Sequence, residues 1–383
     1  MTVRTLVLSG GGGRGAFHAG VFKYLMQPEK SGIASTHQGV WQPDIVVGTS
    51  IGAVNGAAIA QGISAVELEE FWLSLRETDV QGLPPGMGVL ARRAVNAFLK
   101  RSIGVYLPQV APARSMSPPA AEAWPPIPIL PRWIAERFIG RWSNLLDTGP
   151  LHETLANRLK IDPQKLAASP TTLLISATNI RTGEGVTFSN HPMRRAQDGA
   201  PMPHIREGIT VKRIIASCSI PMVYPWTRDD DGEVYWDGAL VANTPLGAAF
   251  DAARDRPREE PMEVIIVMMN PWLESNNQPQ AGYDRLPDDF GEVITWTLDW
   301  AMLASFRVSL KMLRAFNELS QMDMAQGKTP RYRPVTDVIV APERFLPVER
   351  IIDYDEPASR ALIDLGYAAA ERALRAHFGA TEA

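Results

Sequence analysis

Hydrophobic and polar positions along the first 76 residues follow two different periods. Thr5–Leu8 and Asp44–Val47 are short, mainly apolar runs that end at glycines, which is typical of strands buried on both faces. Gly15–Gln27, Ile51–Gln61 and Val66–Arg76 carry apolar or small residues at helical spacing. This order of strand, helix, strand and helix, with short turns, predicts a parallel sheet with helices on both faces.

The pattern breaks near Asp79 and changes in composition. Residues 86–146 hold eight Lys or Arg, two acidic residues, eight prolines and three tryptophans. The proline-rich centre excludes a regular helix or a central strand. We therefore predict an insertion over the core at 77–145. Its excess of positive charge and its tryptophans suit a lid or peripheral contact with an anionic membrane, and a surface insertion packed by its own prolines is the alternative.

Regular structure resumes after the insertion and continues to the C-terminus. The long helix that we predict here carries aromatic and methionine residues that suit core packing or the wall of an acyl pocket. The predicted segments are Gly149–Leu159, a hairpin of Thr172–Thr178 and Val186–Ser189, the strands Glu233–Trp236, Glu263–Met269 and Asp337–Val340, the long helix Ile294–Leu319 and a closing helix Pro357–His377.

Composition narrows the class of protein. The 383 residues are 45% apolar and 21% charged, an ordinary globular balance, and the net charge of −4 gives no sign of a nucleic-acid partner. Cys218 is the only cysteine, which excludes an intrachain disulfide, and no Cys-x-x-Cys or His-Glu-x-x-His pattern supports a metal site. Without a signal-peptide core or an 18-residue apolar run, we expect a cytoplasmic protein.

Two glycine-rich turns carry the candidate chemistry. Gly48-Thr49-Ser50-Ile51-Gly52 follows a predicted strand and opens a predicted helix. Its flanking glycines permit the sharp turn that exposes a nucleophilic serine, and the helix N-terminus favours negative charge beside it. The alternative interpretation is a plain strand–helix turn with an N-capping residue.

The other turn, Gly10–Gly15, fits three kinds of site as a pattern. A dinucleotide fingerprint requires an acidic residue at the end of the second strand, and a Walker phosphate loop requires a lysine; neither is present. What remains is a nest of backbone N–H groups for an oxyanion. Arg14 would hold this loop in shape or meet a phosphate head group, or it would be a solvated side chain.

A serine nucleophile needs a base. None of the six histidines lies in a catalytic context: His18 suits a packed helix position, and His377 is the only late candidate for a triad. The chain also differs from the α/β-hydrolase plan, in which several strands precede the serine turn, because here only one strand precedes the strand that carries Ser50. Asp237 closes a strand after Trp236, whose ring would desolvate the carboxyl group and raise its basicity, although an Asp-Gly turn is the alternative.

Taken together, these segments resemble the patatin-like phospholipase family. The resemblance rests on GGGGRG at 10–15, GTSIG at 48–52 and DGA at 237–239, in this order. Three further segments support it: ISATNIRTGEGVTFS at 175–189, ASCSIPMVYPW at 216–226 and DGALVANTPL at 237–246. Their number and order make chance an unsatisfactory explanation.

The resemblance implies a three-layer α/β/α sandwich with a mainly parallel central sheet, formed by 1–76 and 146–275, with a mostly helical extension over 276–383. It implies hydrolysis of lipid acyl esters through an acyl-serine, without a metal or cofactor. An acyltransferase and an inactive lipid-binding protein remain alternatives, and the oligomeric state stays open. The implied roles are Ser50 as nucleophile, Asp237 as base, the oxyanion hole at Gly11, Gly12 and Gly13, and supporting roles for Arg14, Gly48, Gly52 and Gly238.

Overall fold

We describe a computed structural model of the chain. It describes residues 2–27, 41–82, 144, 146–194, 199–272, 286–287, 290–343, 346 and 354–378. Of the predicted insertion at 77–145, only 77–82 and 144 fall within these ranges, so its predicted lipid contact lies outside the described residues. Among the described helices, none has a stretch long and apolar enough to cross a bilayer.

A mixed, mostly parallel sheet forms the middle layer. Its strands run in the order β5-β4-β3-β2-β1-β8-β9, and β7 joins β3 on one side and β6 on the other. The pairs β1/β2, β2/β3, β1/β8 and β8/β9 are parallel, whereas β4 and β7 run antiparallel to β3. The strands are β1 Val3–Leu8, β2 Ile45–Thr49, β3 Thr172–Asn179, β4 Gly185–Ser189, β5 Ile205–Glu207, β6 Thr227–Arg228, β7 Val234–Asp237, β8 Met262–Val267 and β9 Val335–Val340.

Helices cover both faces of this sheet, as the strand–helix alternation predicts. They are α1 Ala16–Leu25, α2 Ile51–Ala60, α3 Ala65–Ser74, α4 Glu77–Val80, α5 Gly149–Asn157, α6 Pro163–Ala168, α7 Val211–Ser217, α8 Ala239–Ala242, α9 Leu246–Ala252, α10 Phe290–Ala325 and α11 Glu356–Phe378. A single 3-10 turn, Gly12–Gly15, precedes α1. The fold is therefore the predicted three-layer sandwich with a helical C-terminal region.

The two core layers arise from the alternation of side chains along the strands. In β1, Leu6 and Leu8 pack into the layer that contains α1, α2 and α11, whereas Val7 packs into the layer that contains α9 and α10. Phe306 of α10 is fully buried in this second layer and stacks edge-on against Trp272 at 4.9 Å. The predicted core role of α10 is confirmed at this position.

The C-terminal helix α11 packs against α1 at unusually short range. A Cβ atom added at Gly366 would lie 2.1 Å from the Phe17 carbonyl oxygen, and one added at Gly20 would lie 1.9 Å from the Ile363 oxygen. Only two glycines facing each other allow the backbones to approach this closely. The helix α11 thereby supports α1, which begins directly after the glycine run.

Several boundaries differ from the sequence prediction. Helix α10 extends beyond Ile294–Leu319 at both ends, because helix-forming residues continue past the periodic segment. Strand β7 includes Asp237 as its last residue instead of ending before it. The helices α6 and α9 and the strands β5 and β6 were not predicted, since elements of this length contain too few periods to be recognised.

Candidate active site

Ser50 lies on a strained turn between β2 and α2. Its backbone has a φ of 55° and a ψ of −125°, a region that residues with a side chain rarely occupy. The residue is 4% exposed. This geometry is the sharp strand-to-helix turn that directs a serine hydroxyl away from the sheet, as the Gly-x-Ser-x-Gly pattern predicts.

Gly48 and Gly52 make that turn possible by close approach. A Cβ atom at Gly48 would lie 2.3 Å from the Gly52 carbonyl oxygen, and one at Gly52 would lie 2.3 Å from the Leu8 oxygen. Both contacts are with backbone atoms, which cannot rotate away. The two glycines therefore support the position of Ser50 through the space that they leave, without touching its hydroxyl group.

The glycine run lies directly beside this turn. A Cβ atom at Gly10 would be 3.1 Å from the Ser50 Cβ atom. The Gly10 amide donates to the Asn243 carbonyl at 3.2 Å, but within the described residues the amides of Gly11, Gly12 and Gly13 have no acceptor. Three unpaired N–H groups next to a serine hydroxyl are the donors that an oxyanion requires.

Arg14 holds the loop in place from inside. The residue is 4% exposed, and its Nε donates to the Gly11 carbonyl oxygen at 3.3 Å. The interpretation as a solvated side chain is therefore wrong. Because the bond holds the carbonyl of Gly11, it also fixes the direction of the neighbouring amide, which is what the predicted loop-shaping role of Arg14 requires.

Strand register brings Asp237 to Ser50. Ser176 of β3 pairs with Thr49, and the next residue, Ala177, pairs with Asp237 on the other side. The Asp237 carboxyl group lies close enough to the Ser50 side chain for that hydroxyl to lower its pKa, and it accepts the Ala239 amide at 2.8 Å. Gly238 is required here, because a Cβ atom at that position would lie 2.3 Å from the Ser176 carbonyl oxygen.

Burial is the main electrostatic influence on Asp237. The residue is 3% exposed, and desolvation raises the pKa of its carboxyl group to about 7, against the opposing effect of the Ser50 and Ala239 hydrogen bonds. A carboxylate with this pKa is a far better proton acceptor than an ordinary aspartate. The predicted desolvation of the Asp237 carboxyl group is present, together with the local hydrogen bond from the Ala239 amide that is typical of an Asp-Gly turn.

Ser217 is a site residue that the sequence prediction missed. Its hydroxyl accepts the Ser50 amide at 2.9 Å and donates to the Ser176 carbonyl oxygen at 2.6 Å. The Ser217 hydroxyl therefore links the strained turn at Ser50 to β3, which pairs with the strand that carries Asp237. The Ala-Ser pair at 216–217 marks this residue in the sequence, but the pattern does not show which partner its hydroxyl has.

Cys218 was also missed as a neighbour of the site. Its buried thiol lies beside Ser50, whose hydroxyl lowers the pKa of the thiol, but burial, followed by the charge of Asp237, has the larger effect and raises that pKa well above its usual value. Cys218 therefore stays neutral beside the serine hydroxyl.

The histidines do not contribute to this arrangement. His18 is buried, its Nδ1 accepts a hydrogen bond from the side-chain amide nitrogen of Asn55 at 3.1 Å, and burial lowers its pKa to about 3. His377 is exposed in the last turn of α11. Within the described residues, the hydrogen bonds of Ser50 and Asp237 involve no histidine.

A narrow apolar cavity opens beside the serine. Its volume is about 20 Å³, enough for little more than one water molecule. The walls come from α2 to α5 and from the segment after α7, and Tyr224, whose hydroxyl donates to Gln81 at 2.9 Å, forms one of them. The described residues of α10 contribute nothing to the wall of this cavity, and the acyl-pocket role of that helix stays a prediction. The side chains that line the cavity with Ser50 include Ile51, Val54, Phe71, Leu75, Val80, Leu151, Cys218, Ile220 and Tyr354.

Metal binding has no support in the described ranges. Among those residues, no group of three or more His, Cys, Asp and Glu side chains could hold a metal ion.

Comparison with known proteins agrees with this geometry. The model of the patatin-like phospholipase family matches residues 6–250, and the chain belongs to this family. The matched range contains the serine turn, the glycine run and Asp237. Family membership identifies the protein as a lipid hydrolase in the broad sense.

Two solved structures that match the chain have low sequence identity to it. VipD from Legionella pneumophila has 12% identity and a TM-score of 0.43, over 98% of this chain and 67% of that one. The type III effector protein ExoU has 12% identity and a TM-score of 0.35, over 98% of this chain and 53% of that one. Comparison with curated proteins gives no match.

Proposed function

We propose that the protein hydrolyses acyl esters of lipids through an acyl-serine intermediate formed on Ser50. The observation that carries the proposal is the position of the buried Asp237 carboxyl group beside the Ser50 side chain, next to the amides of Gly11, Gly12 and Gly13, which have no acceptor among the described residues. Nucleophile, base and oxyanion donors are the three parts that acyl transfer needs.

In the first half-reaction, the Asp237 carboxylate accepts the proton of the Ser50 hydroxyl as its oxygen attacks the ester carbonyl carbon. The carbonyl oxygen becomes an oxyanion and receives hydrogen bonds from the amides of Gly11, Gly12 and Gly13. When the carbon–oxygen bond to the alcohol breaks, Asp237 returns the proton to the departing alkoxide. The alcohol leaves, and the acyl group remains on Ser50.

In the second half-reaction, water takes the place of the alcohol. Asp237 accepts a proton from the water as its oxygen attacks the acyl-serine, and the same amides bind the second oxyanion. The proton then passes to the Ser50 oxygen, which releases the fatty acid. One carboxyl group serves both halves because its pKa of about 7 lets it accept and return a proton near neutral pH.

The apolar cavity beside Ser50 suits the acyl chain rather than the head group. Its lining is apolar apart from the Gly12 backbone, Ser50, Cys218 and the hydroxyls of Tyr224 and Tyr354, and the Tyr224 hydroxyl is already bonded to Gln81. A volume of about 20 Å³ holds no acyl chain, so we expect the walls to separate when substrate enters.

Two measurements on the same protein test the proposal. A fluorophosphonate probe should label Ser50, and vesicles of phosphatidylcholine should release fatty acid that mass spectrometry detects. Ser50→Ala should remove both signals and lower turnover at least about 10⁴-fold. Ser219→Ala is the matched control, since this buried serine bonds the Ile215 carbonyl and the Thr227 hydroxyl.

The same assay separates the alternatives. New acyl esters on added glycerol, without release of free fatty acid, would identify an acyltransferase. A folded protein that binds vesicles but gives neither labelling nor product would be a lipid-binding protein without activity.

A further inference from the structure

A second cavity lies at the opposite end of the sheet from Ser50. Its volume is about 510 Å³, within the range of small-molecule sites. It is bounded by the connection from α9 to β8, by the C-terminal half of α10 and by the segment before β9. We call it the arginine groove, after Arg254, Arg258, Arg331 and Arg333, which line it.

The walls of the arginine groove are fixed by specific hydrogen bonds. Asn317 of α10 binds both the amide and the carbonyl of Val335, at 2.8 and 2.6 Å. Ser320 donates to the Tyr332 carbonyl at 2.7 Å. Arg333 donates to the carbonyls of Ala253, Arg256 and Glu260, at 2.7, 2.9 and 2.6 Å. The groove is therefore a built feature of the fold.

Two of its arginines keep hydrogen-bond donors available. Arg258 is exposed, and within the described residues it makes one side-chain bond, from Nη1 to the Arg331 carbonyl at 3.2 Å. Arg331 bonds Asp323 through Nε at 2.9 Å, and its two Nη groups have no partner in the same ranges. No carboxylate is among the described residues that line the groove, although the whole chain carries a net charge of −4.

An apolar surface adjoins these donors. The rings of Phe316 and Tyr332 stack at 4.2 Å with an interplanar angle of 12°, and Phe250 and Leu313 complete the wall. Guanidinium forks beside flat apolar rings suit a ligand that has an anionic group on an apolar or aromatic body.

Position in the fold favours a soluble ligand over a membrane. The arginine groove lies before the first residues of β8 and β9, whereas Ser50 follows the last residue of β2. A strand of six residues spans about 20 Å. A bilayer that lies across the carboxyl ends of the strands, where Ser50 is, is therefore separated from the groove by the length of the sheet.

We propose that the arginine groove binds a soluble organic anion, whose phosphate or carboxylate group pairs with Arg258 and Arg331 and whose apolar part rests on Phe316 and Tyr332. The ligand is distinct from the ester substrate, and its binding does not depend on the activity of Ser50.

Titration calorimetry with 1-naphthyl phosphate tests this site. The probe should bind the full-length protein more tightly than inorganic phosphate or 1-naphthol, because only the probe has both parts. Arg258→Gln should weaken binding about tenfold, the effect of losing one charge-assisted bond, and Phe316→Leu should weaken it by a smaller factor. The matched control, Arg360→Gln, removes an exposed arginine of α11 and should leave binding unchanged.

Three results would overturn the proposal. The first is equal affinity in Arg258→Gln and the parent protein, with both folded by thermal melting. The second is loss of probe binding after a fluorophosphonate has labelled Ser50, which would place the probe in the active site. The third is binding to phosphatidic acid vesicles that depends on Arg258 when free 1-naphthyl phosphate does not bind, which would identify a lipid head group as the ligand.

Discussion

The two ends of the central sheet use opposite means to create polar sites. At the carboxyl end, the polar groups of the candidate active site are buried. Within the described residues the amides of Gly11, Gly12 and Gly13 have no hydrogen-bond acceptor, and the Asp237 carboxyl group is desolvated. At the amino end, side chains are charged and partly exposed, and outside the arginine groove they form ion pairs: Arg4 and Asp44 lie 3.2 Å apart, and Arg256 approaches the same carboxylate at 3.9 Å.

Unfavourable contributions to the folding free energy are concentrated at the carboxyl end. A strained φ at Ser50 and a desolvated carboxyl group at Asp237 each make the folded state less stable, and each is a property that acyl transfer requires. Ion pairs at the amino end carry no such strain, and solvent screens them. Substitutions at the carboxyl end should therefore change activity and stability in opposite directions, whereas those at the amino end should change both little.

The largest effect should come from removing the base. Asp237→Asn keeps the shape of the side chain and the acceptor for the Ala239 amide, but it does not accept a proton. We expect kcat/KM for ester hydrolysis to fall about 10³- to 10⁴-fold. A pH profile of the parent protein should rise with pH through about 7, because the carboxylate form is the base. Turnover within tenfold of the parent protein would contradict the role of Asp237.

The same substitution should make the protein more stable above neutral pH. Since the folded pKa of Asp237 is about 7 and the ordinary value is 3.8, the folded state holds a proton that the unfolded chain has lost between these values. The free energy of unfolding therefore falls as pH rises from 4 to 7. Asp237→Asn should remove this loss of stability. The free energy of unfolding of the variant should therefore differ little from that of the parent protein at pH 4 and exceed it by at most about 4 kcal/mol at pH 8. Chemical denaturation at both pH values measures it, and equal gains at both would contradict the desolvation argument.

A smaller effect should follow from loosening the serine turn. Ser217→Ala leaves the Ser50 amide without its acceptor and detaches the turn from Ser176. We expect kcat to fall about 10- to 100-fold with little change in KM, because the hydroxyl positions the nucleophile and does not contact substrate. Ser217→Thr, which keeps the hydroxyl, should recover part of the rate. An equal loss in the control Ser219→Ala would indicate a general effect on folding.

The smallest effect should come from the amino end. Asp44→Asn removes the charge that pairs with Arg4 and Arg256, but the amide oxygen still accepts the Arg4 N–H. We expect the free energy of unfolding to fall by less than about 1 kcal/mol and kcat/KM to stay within twofold. A loss of activity above tenfold would show that the two ends are coupled, and the comparison between them would no longer hold.

Much of the candidate site follows from local pattern. The serine turn and the glycine run are recognisable because backbone requirements, close approach and positive φ, leave few residue types possible at Gly48, Gly52 and Gly12. Asp237 was recognised through resemblance, because its own dipeptide is typical of an ordinary turn. Ser217 and Cys218 lie in a segment that the resemblance included, yet their contacts with Ser50 span 167 residues or more and leave no periodic trace.

The strand–helix alternation, the parallel sheet, the glycine turns and the family follow from local requirements of the backbone and of side-chain periodicity, so the chain alone was enough to predict them. Which residues meet depends on tertiary contacts: the register of β3 with β2 and β7 brings Asp237 to Ser50, and the packing around both raises the pKa of the carboxyl group. The arginine groove likewise gathers residues from α9, α10 and the start of β9, which are far apart in the chain. Pairing and burial are sums over such distant contacts, so no window of the sequence contains them.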